Sequence, residues 1–96
     1  MSGYESELGA LRQRVDAIDV QLLALLNARA AVVSDIYALK ERHGTPRFNR
    51  ARTEAILERL VGENRGPLSS RDVRDLFGPL LSFFLERFRA GGDESS

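Results

Sequence analysis

Between Leu8 and Leu39 the apolar residues return at alternating steps of three and four, and one position in the series is an arginine. Leu8, Leu11, Val15, Ile18, Leu22 and Leu25 are followed by Arg29, then by Val32, Ile36 and Leu39. Such steps describe a heptad seam along one long helix, pressed against another helix. A guanidinium left unpaired in an apolar interface costs several kcal/mol. Positions 25, 26, 32 and 33, one turn away on either side, hold no acid. The pattern therefore calls for an anion at Arg29, either a carboxylate from elsewhere in the fold or a bound ligand.

The rest of the chain bounds what surrounds that seam. With 96 residues it forms one domain, whose core as a monomer is marginal. Fourteen basic and fourteen acidic side chains balance, which argues against a general attraction to nucleic acid or membrane. There is no cysteine and one histidine, so neither thiol chemistry nor a metal site is expected. No run approaches the roughly 20 apolar residues that cross a bilayer. The start, Met1 to Glu5, lacks the basic and apolar regions of a secretion signal. The expectation is a cytoplasmic protein.

The pattern predicts an all-α protomer of three helices. The first and longest runs from about Ser6 or Glu7 to Arg42, with Gly44 as a left-handed terminator. Asn49 is the N-cap of a second helix that carries Ile56, Leu57, Leu60 and Val61 on one face. Ser69 and Asp72 have the spacing of a capping box for the third. That helix shows a stripe of Val73, Leu76, Phe77, Leu80, Leu81, Phe84 and Phe88, with a kink or broken turn expected at Pro79. Residues 1–6 are expected to be a flexible N-terminus, 7–90 the helical domain and 91–96 a disordered tail.

A helix from 8 to 42 is about 50 Å long, and two shorter helices cannot cover its seam. Pairing of two copies, antiparallel about a two-fold axis, is the simplest remedy. Within one helix Arg12 and Lys40 lie about 42 Å apart. In an antiparallel pair centred near Leu22 and Leu23, Arg12 of one copy falls opposite residue 33 of the other, between Arg29 and Lys40. Arg52, in line with Ile56, can join them. Such a cluster is an anion pocket, two per dimer. Taken singly, Arg12, Lys40 and Arg52 read as solvated surface charge, as do Arg42, Arg47 and Arg50. For Arg29 the alternative is a structural ion pair.

Arg12, Arg29, Lys40 and Arg52, in this order and spacing, resemble the all-helical (AroQ-class) chorismate mutases over about residues 7 to 89. The matching stretches are LRQRVDAIDVQLLALLNAR, the lysine of YALK, and TPRFNRARTEAILERL. ENRGPLSSRDVRDLF looks like the second loop and third helix of mutase domains fused to DAHP synthases. The resemblance implies an intertwined homodimer that rearranges chorismate to prephenate without a cofactor. It implies that Arg12 reaches in from the partner protomer and, with Arg29 and Arg52, holds the two substrate carboxylates. Lys40 then bonds the ether oxygen, and Asn49 and Thr53 contact the substrate as well. A pericyclic rearrangement needs no nucleophile or base. It needs a held conformer and positive charge where the C–O bond breaks.

Four positions depart from the family pattern. Asn49 and Thr53 stand where Asp and Glu are usual, Phe84 where a small or polar residue is common, and Phe88 where Gln or Glu supplies a second hydrogen bond to the ether oxygen. Two alternatives follow. One is a non-catalytic module that binds chorismate or prephenate for regulation; the other is a mutase for a related substrate such as 4-amino-4-deoxychorismate. A DAHP synthase is a conceivable protein partner, since related small mutases are activated by one.

Overall fold

A computed structural model describes residues 2–88. Three helices make up the regular structure among them: α1 (Ser2–Arg42), α2 (Arg50–Glu63) and α3 (Ser70–Glu86), with no strand. The all-α expectation holds. The expected tail, 91–96, lies outside the described residues.

The chain divides into two compact units, one ending at Val32 and one starting at Val33. The first is the N-terminal part of α1. Its helix starts at Ser2, earlier than the Ser6 or Glu7 expected, so residues 2–6 are helical. Glu5 in the first turn is placed favourably against the positive end of the helix dipole. The seam residues Leu11, Val15, Ile18, Leu22, Leu25 and Val32 are each more than half exposed, from 53% to 68%. An apolar stripe of that length in water is a strong sign of a surface that meets something else.

The expectation about bilayer-crossing segments needs correction. By length and composition alone α1 qualifies, with a window of mean hydropathy 1.5. The longest stretch of α1 without charge is nevertheless only residues 20–28, ended by Asp19 on one side and Arg29 on the other. A bilayer core asks for about 20 apolar residues, and a mid-span charge is costly there.

The second unit contains the end of α1 together with α2 and α3. α2 packs on α3, and the buried apolar side chains among the described residues are Leu57 from α2 with Val73, Leu81 and Phe84 from α3. Both helices start as the sequence predicts. Asn49 accepts from the Arg52 N–H, and Ser69 and Asp72 exchange side-chain and backbone bonds in a complete capping box. α3 runs through Pro79 unbroken, contrary to a broken turn. Pro79 is exposed, and the residue before it is Gly78. Without a Cβ, Gly78 avoids the clash that bars most residues from helical geometry before proline. The helix stops at Glu86, so Phe88 stands beyond it and does not extend its apolar stripe.

Candidate active site

The end of α1 sets the stage for Lys40. Gly44 adopts φ 67, and the Thr45 N–H donates to the Lys40 carbonyl at 2.9 Å while the Gly44 N–H donates to the Glu41 carbonyl at 3.2 Å. This 6→1 and 5→2 pair is a Schellman motif, which needs a left-handed residue and so favours glycine. It stops α1 within one turn of Lys40. The ammonium of Lys40 donates to the Arg47 carbonyl at 3.1 Å. Lys40 is therefore held at its backbone by the helix terminus and at its tip by the following loop.

Beside it lies an open cleft of about 250 Å³, lined by Tyr37, Lys40, Glu41, Thr45 and Arg47. Small-molecule pockets usually begin near 300 Å³, so the cleft is small for a complete site. Lys40 and Arg47 give it two cations against the single carboxylate of Glu41. Arg47 is not the ordinary exposed charge that the sequence suggests. Its guanidinium lies 3.8 Å over the Tyr37 ring, and its Nη1 donates to the Phe88 carbonyl at 3.2 Å. Tyr37 in turn donates its hydroxyl to the Phe84 carbonyl at 2.8 Å. Neither residue was selected from the sequence, because its partners lie far along the chain.

The start of α2 gathers Asn49, Arg52 and Thr53. The Asn49 side chain is engaged as the N-cap, and the Thr53 hydroxyl donates back to the Asn49 carbonyl at 3.3 Å. Both polar side chains thus serve the first turn of their own helix. Arg52 is exposed, one turn before the half-buried Ile56. In the other unit Arg12 is exposed, whereas Arg29 is half-buried with its Nη1 shielded from solvent. Among the described residues no group of three metal-capable side chains comes together.

The sequence pattern of chorismate mutase type II matches residues 11–87. The chain belongs to the chorismate mutase type II family. It is 34% identical over 83 residues to a bifunctional chorismate mutase/prephenate dehydratase of Pseudomonas aeruginosa, covering 81% of this chain and 23% of that protein. The corresponding protein of Neisseria gonorrhoeae is 38% identical over 72 residues, covering 74% of this chain and 19% of its own length. The chain thus spans less than a quarter of the length of these relatives. Chorismate mutase of Thermus thermophilus is similar in structure. Its form II has a TM-score of 0.83 at 30% identity, covering 91% of this chain and 99% of that one; form I gives 0.77 at 33% identity, covering 79% and 95%. The Pseudomonas and Neisseria relatives join the mutase to a prephenate dehydratase, so they lend no support to the expected kinship with DAHP synthase fusions.

Of the four cations singled out in the sequence, Lys40 lines the cleft, with its ammonium held on the Arg47 carbonyl; Arg12, Arg29 and Arg52 are not among the residues that line it.

Proposed function

We propose that this chain is a chorismate mutase that rearranges chorismate to prephenate in a cationic pocket completed by a second copy. The observation that carries the reading is Lys40, held at both ends beside a cleft in a chain of this family. In this reading Lys40 stabilises negative charge on the ether oxygen as the C–O bond breaks. Arg29 and Arg52 bind the substrate carboxylates, for which planar guanidinium groups suit better than ammonium groups. Arg12 comes from the partner protomer. Asn49 contributes through its backbone, since its side chain caps α2, and Thr53 through whatever acceptor capacity its hydroxyl retains. No cofactor takes part.

The dimer reading is supported by the exposed apolar stripe of α1 and by the small size of the cleft. Pairing the stripe about a two-fold axis hides it from water, and a neighbouring chain adds walls to the cleft. A cytoplasmic location and a division into a helical domain over 7–90 with short flanks belong to the same reading. A DAHP synthase partner rests on the ENRGPLSSRDVRDLF stretch alone.

The test is prephenate formation from chorismate by the purified protein, alone and mixed with a DAHP synthase. Turnover in either supports the proposal, and absence of turnover in both overturns it. A second reading, a non-catalytic chorismate-binding module, is favoured by one observation. Phe84 is buried and Phe88 packs against Tyr37 and Phe84, so neither supplies a polar side chain to a ligand. Calorimetric binding of chorismate without turnover would select the module.

A further inference from the structure

We propose that Tyr37 and Arg47 are positioning residues that set where the Lys40 ammonium stands, and that they do so by clamping the end of α3. The inference rests on the reading of Lys40 as the group that meets the substrate.

The clamp follows from how α3 ends. The last carbonyls of a helix have no partner within it and must be satisfied from outside. In a continuing helix the Phe88 N–H would bond to the Phe84 carbonyl. Here the Phe88 N–H turns to the Phe83 carbonyl at 3.1 Å, which the Arg87 N–H also reaches at 2.8 Å. The Tyr37 hydroxyl takes the Phe84 carbonyl, and the Arg47 guanidinium takes the Phe88 carbonyl. Two side chains from the α1 end and the following loop thus close the terminus of α3. Arg47 stacks on the Tyr37 ring at 3.8 Å, so the two caps brace each other through a cation–π contact. The Phe88 ring, 6.5 Å from that of Tyr37, covers the other side of the junction.

Lys40 reads the position of this clamp directly. Its acceptor is the backbone carbonyl of Arg47, so the bond exists only if the loop holds that carbonyl in place. Replacing the Arg47 side chain removes no atom of the Lys40 hydrogen bond. It removes what places the acceptor: the stack on Tyr37 and the bond to Phe88. A flexible four-carbon stem carries the ammonium, and without its tether the charge moves over several positions in the cleft.

Lys40 is the only lysine in the sequence, which makes the test direct. Protein labelled with 15N at lysine Nζ has one ammonium signal, and it reports on Lys40 with or without substrate. In Arg47→Ala this signal should shift and its proton exchange should speed up by several-fold. Turnover of chorismate should fall about tenfold in kcat with KM changed less than twofold, as expected when a catalytic group is misplaced rather than a binding group lost. Arg47→Lys keeps a cation for the ring but adds a second lysine signal, so it is read by turnover, and its kcat should recover part-way. If Arg47→Ala does not fold, Tyr37→Leu removes the ring beneath the guanidinium and is expected to give the same Nζ shift. An unchanged Nζ signal in the folded variants overturns the proposal, as does a kcat loss that Arg47→Lys fails to lessen. A shifted signal in a protein that does not turn over chorismate supports the clamp and sinks the proposed reaction instead.

Discussion

Phe84 and Phe88 are four residues apart and have different surroundings. Phe84 is 5% exposed, with its ring edge-on to Phe83 and tilted against Phe88. Phe84→Ala should destabilise the protein by about 3–5 kcal/mol through loss of burial and an unfilled cavity, read as a lower urea midpoint. Phe88 is half-buried and lies past the end of α3, beside the Tyr37 and Arg47 that line the cleft. Phe88→Gln should lose about 1 kcal/mol of aromatic contact while adding an amide donor next to the Lys40 pocket. The expected result is faster prephenate formation in a slightly less stable protein. Unaltered turnover would mean that position 88 does not reach the substrate. Lys40→Ala should reduce turnover by about 10²–10³-fold, the usual effect of deleting one group that stabilises developing charge, with the circular dichroism spectrum retained.

At the scale of elements, the ends of the helices carry more of the argument than their middles. Gly44 and Gly62 make a matched pair. Neither has an atom within 4 Å of the place where a Cβ would stand, but Gly44 has φ 67 whereas Gly62 lies inside α2 with no positive φ. Gly44→Ala should cost about 1 kcal/mol, because an L-residue resists the left-handed position that the Schellman motif requires. Gly62→Ala should leave stability equal or raise it by up to about 1 kcal/mol. Thermal unfolding of the two variants side by side checks the contrast. Equal shifts would mean that the α1 terminus is not held by that motif. The surface ion pairs are a poor place to look for stability. Arg59–Glu63, Arg71–Asp75 and Arg74–Glu54 are all well exposed, and such pairs contribute little.

For the whole molecule the exposed stripe of α1 is the dominant fact. In the proposed dimer Leu22 lies near the two-fold axis, so one substitution there acts on both protomers at once. Leu22→Glu brings two carboxylates together in an apolar seam and should leave a monomer with reduced helicity. Sedimentation velocity with circular dichroism checks this, and a Leu22→Glu protein that remains dimeric would place the pairing surface elsewhere. The heptads that predict the stripe were legible because one helix repeats its own geometry. The cap at Asn49, the capping box at Ser69 and the stop at Gly44 were legible for a similar reason, since each is a bond between residues a few positions apart.

Local spacing thus determined that this chain is three helices, where α2 and α3 begin, and that Arg29 stands on an apolar face. It also set the order of the four cations that carry the family resemblance. Only the tertiary structure decided what Arg47 does, that Phe88 falls outside α3, and that Pro79 leaves α3 intact. Arg47 meets Phe88 across 41 residues and Tyr37 meets Phe84 across 47. Contacts of that range depend on how the end of α1 and its loop meet the end of α3 in space, and no periodicity of three or four residues encodes them. Thr53 differs from both classes: its hydroxyl suits either a ligand or a helix start, and in the fold it bonds locally to the Asn49 carbonyl.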